Sequence, residues 1–302
     1  MDGNILIGAA NYLRLTNAKR SGTMYSVFGA TGYVGSTFCS MYGDEIVRQG
    51  RENRVPRTND ILYLISTTDN YNVHSNITLD VETNLKVLCE VLEHCKREYI
   101  VFNFVSSWFV YGKTQLPATE ESPCNPTGFY SITKKAAEDL IISFCNTFGC
   151  KYRIMRLCNV VGGIDHNGGV VESDVSRKKN AITYMINNLK NDEDIYLYDN
   201  GTPIRDIMHV GDVCRAIHLV MEKGNTNEIY NIGSGQPTQI GDIMKLAKEF
   251  LDSKGNIYGR EAADFHKVVQ AKDFWYDTTK LKNLGFKQTI PTEAIIKELC
   301  TN

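Results

Sequence analysis

The chain lacks a large excess of charge of either sign, and it has no internal repeats or low-complexity linkers. Its 33 Lys and Arg residues and 35 Asp and Glu residues give a net charge of −2. A protein that binds nucleic acid or an acidic membrane surface carries a basic patch, which this balance does not indicate. We therefore expect a small molecule as the partner, with no nucleic acid and no membrane.

Regular metal-ligand spacings are also lacking. The nine cysteines include no Cys-x-x-Cys pair, and no histidines cluster at ligand spacing. Cys89 and several others lie in apolar patterns, which is typical of buried free thiols in a reducing compartment. The sequence thus predicts no metal, no disulfide framework and a cytoplasmic protein.

No apolar run is long enough to span a bilayer. The first 23 residues contain a short apolar run near Ile5, but Asp2 stands where a signal peptide would be basic. We expect an N-terminal extension over 1–23 that is not a signal peptide, and the sequence assigns it no role.

Apolar runs of strand length alternate with segments of helix length through the first half of the chain. Strands are predicted at 24–28, 60–65, 99–105 and 152–157, and helices from about 35, over 80–95 and over 136–148. After residue 159 the elements become shorter and glycine loops separate them. This order predicts an α/β fold, a doubly wound parallel sheet of the Rossmann type followed by a smaller mixed C-terminal domain.

A glycine-rich turn follows the first strand and opens the first helix. Its glycines are Gly29, Gly32 and Gly35, and they permit a tight turn and a close approach of the backbone to a pyrophosphate at the helix N-terminus. The predicted cofactor contacts in this turn are Gly29, Thr31, Gly32, Tyr33, Val34 and Gly35.

The end of the second strand distinguishes NAD from NADP in dinucleotide-binding folds. This strand is predicted over 44–49, and no carboxylate stands at its end. Arg48, Arg51, Arg54 and Arg57 form a basic cluster there instead. The cluster favours NADP, with Arg51 as a cofactor contact, although a solvated basic loop explains it equally well.

Tyr130 and Lys134 are one helical turn apart, so their side chains share one face. A cation held beside a phenol favours the phenolate, and the pair could therefore act as a base, with the helix that follows as its mount. Ser106 and Ser107 close an apolar strand upstream.

With Gly29, Gly32 and Gly35, then Ser107, then Tyr130 and Lys134 in this order, the chain resembles the extended short-chain dehydrogenase/reductase family. Within that family it is similar to the NAD-dependent epimerase/dehydratase group that acts on nucleotide sugars. The resemblance runs from about residue 24 onward through further signatures, which lie at 106–112, 119–126, 156–159, 205–212, 230–235 and 277–285.

The resemblance implies a catalytic triad of Ser107, Tyr130 and Lys134, and Tyr130 and Lys134 would also contact the cofactor. Ser107 would bind the sugar as well, and the substrate diphosphate would contact Asn159, Arg205 and Arg260. The family implies NAD where the basic cluster favours NADP. It also implies a homodimer.

The implied domains are a dinucleotide-binding domain and a nucleotide-sugar domain. The first covers 24–158 and is rejoined by about 204–223. The second covers 159–203 and 224–302.

Three departures from the group's pattern bear on activity. Trp108 and Phe109 follow Ser107 where dehydratases carry acidic residues, so dehydration is disfavoured. Asp80 stands where the group shows Asn near the cofactor, and the segment 36–60 is short.

The leading hypothesis is a nucleotide-sugar epimerase that acts at C4 through a 4-keto intermediate with tightly bound NAD(P). One alternative is an NADPH-dependent 4-ketoreductase of a nucleotide 4-keto-6-deoxy sugar. Another, of a different class, is a non-catalytic NADP-binding regulatory module. The nucleotide, the sugar and the carbon remain open at this point.

Overall fold

Within residues 23–163 and 181–301, which the computed structural model describes, six parallel strands form one twisted sheet in the order β10-β5-β4-β3-β1-β2. The predicted extension therefore lies outside the described residues up to residue 22. The strands of the sheet are β1 (Tyr25–Phe28), β2 (Ile46–Arg48), β3 (Asp60–Tyr63), β4 (Val101–Ser107), β5 (Lys151–Leu157) and β10 (Glu228–Ile232). The predicted α/β class is confirmed.

Short strand pairs outside the sheet belong to the second half of the chain. They are β6 (Asn159–Val161) with β9 (Ile207–His209), β7 (Ile195–Tyr198) with β12 (Ile257–Arg260), and β8 (Ile204–Arg205) with β11 (Thr238–Gln239).

Helices cover both faces of the sheet and build the second lobe. In chain order they are α1 (Tyr33–Met41), α2 (Leu79–Val81), α3 (Val87–Leu92), α4 (Phe129–Phe148), α5 (Ala181–Lys190), α6 (Val210–Lys223), α7 (Ile240–Leu251), α8 (Asp264–Val269), α9 (Thr279–Asn283) and α10 (Thr292–Thr301). A π-helical segment, Glu82–Lys86, joins α2 to α3.

Side chains of β1 enter two different hydrophobic clusters, one on each face of the sheet. Tyr25 and Val27 pack into the cluster that contains α1 and α6, whereas Phe28 packs on the other face with α3 and α4. Alternate side chains of a strand point to opposite faces, so a strand that is apolar throughout must be covered on both sides. A third cluster joins α5, α7 and α10 in the second lobe.

The segment after α1 is short, as predicted from the sequence. Helix α1 has nine residues, a 3-10 turn over Gly43–Glu45 follows it, and β2 has only three residues at the sheet edge. The predicted strand over 44–49 is thus too long at both ends. Strand β1 lies between β2 and β3, so the strand order reverses at β1. Such a reversal places a ligand crevice at the carboxyl ends of β1 and β3.

Helix α4 begins earlier than predicted, at Phe129. Ser131 Oγ accepts a hydrogen bond from Gly128 N at 2.9 Å, and Asn70 Oδ1 accepts one from Ser131 N at 3.2 Å. These contacts satisfy N–H groups that the helix leaves unpaired at its start. Tyr130 and Lys134 therefore lie in the first two turns of α4 rather than ahead of the helix.

The predicted domain boundary is wrong for β10. Residues 224–302 were assigned to the substrate domain, but β10 pairs with β5 in parallel, with Glu228 opposite Arg153. Pairing with a fully buried neighbour explains why this five-residue run belongs to the central sheet.

None of the helices in the described ranges combines the length and apolarity needed to cross a bilayer. The nine cysteines are free thiols.

Candidate active site

The glycine-rich turn joins β1 to α1 at the carboxyl edge of the sheet. Gly29 has a positive φ of 82°, and a Cβ on Gly35 would lie 2.1 Å from the carbonyl oxygen of Gly29. Both positions therefore require glycine. Thr31, Gly32 and Tyr33 are exposed at the start of α1, where free N–H groups and the helix dipole favour an anion.

Tyr33 connects this turn to the second half of the chain. Its hydroxyl donates to the carbonyl oxygen of Gly162, and Gly163 N donates to Glu298 Oε1 at 2.9 Å. Glu298 Oε2 lies 3.0 Å from His209 Nε2. The glycine-rich turn and helix α10 thus both contact the short segment formed by Gly162 and Gly163.

Gln49 occupies the end of β2, where dinucleotide-binding folds carry an acidic residue. Its Oε1 accepts from Asn53 Nδ2 at 2.7 Å, whereas its buried Nε2 has no hydrogen-bond partner among the described residues. A buried donor without a partner is costly, and a ribose hydroxyl would satisfy it. The chain's residues therefore fit a nicotinamide dinucleotide at this crevice.

The predicted basic cluster is only partly available to a ligand, because one of its four arginines is engaged by other residues while Arg48, Arg51 and Arg57 are exposed. Arg54 Nε donates to Glu90 Oε2 at 2.7 Å and Nη1 donates to the Arg51 carbonyl oxygen at 2.7 Å. Arg54 is therefore structural, and the exposed Arg48 and Arg51 are the members of the cluster next to the end of β2.

Ser107 and Tyr130 meet where β4 ends and α4 begins. Ser107 is 8% exposed and Tyr130 is 7% exposed, and Phe109 packs edge-on to the Tyr130 ring at 5.7 Å. Burial raises the pKa of Tyr130 to about 12, while its hydrogen bond with Ser107 acts in the opposite direction. Ser107 is therefore placed to share the proton of the phenol.

Lys134 lies one turn further along α4 than Tyr130, and its ammonium contacts the backbone of β4. Its Nζ donates to the Val105 carbonyl oxygen at 2.6 Å and lies 4.1 Å from the centroid of the Phe104 ring. Burial lowers the pKa of Lys134 to about 7, and the negative charge of Glu138 opposes that shift.

The expectation that Lys134 moves the pKa of Tyr130 toward neutrality is not met by this arrangement. The charge that acts on Tyr130 is Asp80, which raises its pKa further. The Lys134 ammonium points at the β4 backbone, so Ser107 is the group that stabilises the phenolate here.

A polar network links the loop after β3 to α4. Asn84 lies in the π-helical segment, and its Nδ2 donates to Thr133 Oγ1 and to Thr67 Oγ1, both at 2.9 Å. Asp80 accepts from Thr67 Oγ1 at 2.5 Å and from Asn72 Nδ2 at 3.1 Å. The buried Asp80 carboxylate thus has two hydrogen-bond partners. Asn84 lies in a π-helical segment, and such segments are frequent at functional sites.

The pairing of β6 with β9 places Asn159 beside Asp206, the residue that follows Arg205. Asn159 Nδ2 donates to the Asp206 carbonyl oxygen at 3.1 Å. The Arg205 guanidinium lies over Trp108 at 5.4 Å and donates to the Ile204 carbonyl oxygen at 2.7 Å. Burial lowers the pKa of Arg205 to about 10, which is still high enough to keep its charge at neutral pH.

Arg260 lies apart from that pair and contacts a group of aromatic side chains. Its guanidinium is 4.5 Å from the Tyr198 ring, which lies 4.7 Å from the His266 ring. His266 Nδ1 is 2.9 Å from the Tyr71 hydroxyl. Burial and the positive charge of Arg205 lower the pKa of His266.

Four polar residues here fall outside the set predicted from the sequence. They are Gln49, Tyr71, Asn84 and His266. Asn84 lies in a segment that the sequence predicts to be a regular helix. The other three residues are candidates only because of contacts with residues that are distant in sequence. The sequence offers no spacing signal that would have found them.

Comparison with protein families gives one match that covers more than half of the chain. Residues 57–233 match the family described as NAD dependent epimerase/dehydratase. The chain belongs to the NAD dependent epimerase/dehydratase family. The matched range contains Ser107, Tyr130 and Lys134, while the glycine-rich turn lies ahead of it.

Two curated members of the family are similar in sequence. A Methanocaldococcus jannaschii protein, provisionally named a UDP-glucose 4-epimerase, is 26% identical over 80% of this chain and 76% of its own length. A dTDP-glucose 4,6-dehydratase of Haemophilus influenzae is 31% identical over 68% of this chain and 62% of its own length. The chain thus spans less than two thirds of the dehydratase.

A solved structure confirms the fold. The UDP-glucose 4-epimerase of Thermotoga maritima, solved with UDP-glucose, superposes with a TM-score of 0.78 at 21% identity, over 92% of this chain and 98% of that one. At this identity the likeness shows the epimerase/dehydratase fold and no more.

The two positions after Ser107 hold aromatic residues, where the resemblance described above led us to expect acidic residues in a dehydratase. Trp108 is buried, stacks on Phe109 at 4.1 Å and packs on Phe274 at 4.9 Å. Neither aromatic side chain can donate or accept the proton that eliminating water requires. The structure thus places an apolar wall beside Tyr130 at these two positions.

Proposed function

We propose that this chain is an NAD(P)-dependent nucleotide-sugar epimerase that acts at C4 through a transient 4-keto intermediate. The observation that carries the proposal is the buried Ser107 and Tyr130 pair, in which Ser107 acts to lower the pKa of the phenol and Phe109 packs edge-on to its ring. Family membership and relatives named as 4-epimerases support it.

A bound nicotinamide would supply reversible hydride transfer at C4, and inversion requires that the hydride returns to the opposite face of the sugar ring. To accept the proton of the C4 hydroxyl as the carbonyl forms, Tyr130 would have to be in its phenolate form, which Ser107 favours against the effect of burial on the pKa. Ser107 would also donate a hydrogen bond to the C4 oxygen. Because Trp108 and Phe109 offer no acid, the intermediate keeps its C6 oxygen. The aromatic wall also excludes water that would otherwise compete for the keto sugar.

Arg205 and Arg260 would hold the substrate diphosphate, with Asn159 near it. Arginine suits that role because its planar fork donates to two oxygens at once. The exposed apolar side chains Ile132 and Leu140 on α4 are compatible with a homodimer, which light scattering on the purified chain would test.

The proposed function is tested by incubating the purified chain with UDP- and dTDP-hexoses and following the C4 configuration by NMR. We expect interconversion of the two C4 epimers without net change in the absorbance of reduced nicotinamide. Formation of a 4-keto-6-deoxy sugar would instead make the chain a dehydratase. Binding of cofactor without any conversion would favour the regulatory module.

A 4-ketoreductase is the second candidate, because Gln49 and the exposed Arg48 and Arg51 can accept a 2′-phosphate. It predicts sustained oxidation of NADPH by a nucleotide 4-keto-6-deoxy sugar, which an epimerase does not show.

Gln49→Asp tests the cofactor site. A carboxylate at the end of β2 repels a 2′-phosphate and accepts from a 2′-hydroxyl, so we expect NADPH binding to weaken by at least ~10-fold relative to NADH. Nicotinamide fluorescence during titration measures both affinities. Glu52→Gln, at an exposed neighbour, is the matched control and should leave the ratio unchanged. An unchanged ratio in Gln49→Asp would place the ribose elsewhere.

His266 should make substrate binding depend on pH. Its pKa lies below the ordinary value, so it is neutral near pH 7, and a bound diphosphate would raise that pKa and draw in a proton. Binding should therefore tighten as pH falls below the pKa of the bound state, and until it reaches the lower pKa of the free state, by at most about tenfold per pH unit for one proton.

Calorimetry with a non-reacting nucleotide sugar checks this linkage, because a diphosphate diester keeps its charge over the range. In His266→Gln the pH dependence should largely disappear. An exposed histidine far from the site, His94, supplies the control variant His94→Gln. A wild-type pH dependence that survives in His266→Gln would remove His266 from the substrate site.

A further inference from the structure

A cluster of metal-ligating side chains lies at the amino edge of the sheet, opposite the proposed active site. Glu45 ends the 3-10 turn that precedes β2, and His218 and Glu222 stand in the last turns of α6. Helix α6 starts at the carboxyl edge and returns antiparallel to the strands, which brings its end to the start of β2. The cluster is therefore independent of the residues that the proposed function uses.

The His218 imidazole is held in a fixed orientation. The side chain is 8% exposed, and its ring stacks flat on Tyr42 at 4.0 Å with an interplanar angle of 3°. Tyr25 approaches the ring edge-on at 6.1 Å. Aromatic neighbours thus fix the ring plane, which is how ligand positions are made rigid in metal sites.

The carboxylates converge on the edge of this ring. His218 Nε2 lies 3.0 Å from Glu45 Oε2, and Glu222 is four residues further along α6, so it shares the face of His218. One ligand atom from each of the three residues lies within 4.8 Å of the others.

We propose that Glu45, His218 and Glu222 bind one zinc ion. One imidazole and two carboxylates leave a fourth tetrahedral position for water, and the imidazole disfavours calcium and magnesium, which prefer oxygen ligands. Metal–ligand bonds of about 2.0–2.1 Å separate tetrahedral ligand atoms by roughly 3.3 Å. Rotation of the two carboxylates about their side-chain bonds closes the present spacing without moving the backbone.

The ion would fasten the short edge strand β2 to helix α6. The His218 contact spans 173 positions of sequence, so bridging it restrains the loop that carries the start of β2. Ligand spacing within the sequence does not reveal the site, because Glu45 is supplied from a distant segment.

The test uses the full chain after treatment with a chelator. Calorimetry with zinc should show one ion bound per chain, and cobalt(II) should give the visible bands of a tetrahedral site without the thiolate charge-transfer band that the nine cysteines would produce. Glu222→Gln should weaken zinc binding by at least ~100-fold, more than the loss of an outer-shell partner costs. Zinc should also raise the thermal midpoint of the wild type.

His218→Gln should abolish binding, and circular dichroism checks its fold because that side chain is buried. Glu222 is only partly buried, so Glu222→Gln keeps the test decisive if His218→Gln unfolds. The exposed-histidine variant His94→Gln should bind zinc as the wild type does. Equal zinc affinity in the wild type and Glu222→Gln, a thiolate band, or saturation by calcium but not by zinc would each overturn the proposal.

Discussion

Tyr130→Phe should reduce turnover by about 10³-fold or more while cofactor affinity stays nearly the same. The variant keeps the ring that packs edge-on to Phe109 at 5.7 Å and removes only the hydroxyl that shares a hydrogen bond with Ser107. General base catalysis by a positioned side chain contributes about 10²–10⁴-fold, so its loss should dominate kcat. Single-turnover kinetics with a nucleotide sugar and fluorescence titration of the cofactor measure the two quantities.

Tyr196→Phe is the matched control, because Tyr196 is an exposed tyrosine on β7 in the second lobe. It should retain wild-type turnover. Wild-type turnover in Tyr130→Phe would remove the phenol from the mechanism and leave Ser107 or Lys134 as the base to be tested next.

Glu138→Gln should destabilise the fold by about 3–5 kcal/mol, the range for breaking a buried ion pair by removing one partner. Glu138 is 0% exposed and Arg156 is 2% exposed. Arg156 binds the carboxylate with both ends of its fork, Nε to Oε1 at 3.0 Å and Nη2 to Oε2 at 2.7 Å. The amide would leave the guanidinium buried without its counter-charge between α4 and β5.

Urea unfolding followed by the fluorescence of the two tryptophans measures this change. Asp139→Asn is the adjacent control, because its ion pair with Lys135 is on the exposed face of α4 and is expected to matter by less than about 0.5 kcal/mol. Glu138→Gln also removes the negative charge that opposes the lowering of the Lys134 pKa. If the free energy of unfolding of Glu138→Gln fell by less than about 1 kcal/mol, Arg156 would have another hydrogen-bond partner or water in place of the carboxylate.

Five of the six strands of the sheet could be predicted within about two residues, because apolar residues predominate in runs such as β3 and β4, whereas β10 was not predicted as a strand. The glycine-rich turn could also be predicted from the sequence, since Gly29 and Gly35 occupy positions that admit no side chain. These features depend on residues close in sequence, where periodicity and turn chemistry carry the information.

The remaining features depend on contacts that no local pattern contains. Helix α4 starts at Phe129 because Asn70, from a distant loop, pairs with Ser131 N. The direction of Lys134 was missed because the Val105 carbonyl that it binds belongs to another element. Likewise, the fit of a ribose to Gln49 rests on the unpaired Nε2 that only the folded chain reveals.

Strand β10 has a consequence for how the chain acquires its shape. During synthesis β5 emerges well before its partner, and until residues 228–232 arrive it presents an unpaired edge of seven residues. Open edges of this kind recruit other chains, and pairings between distant segments form slowly. We therefore expect the nascent chain to depend on chaperone protection from the completion of β5 until β10 docks.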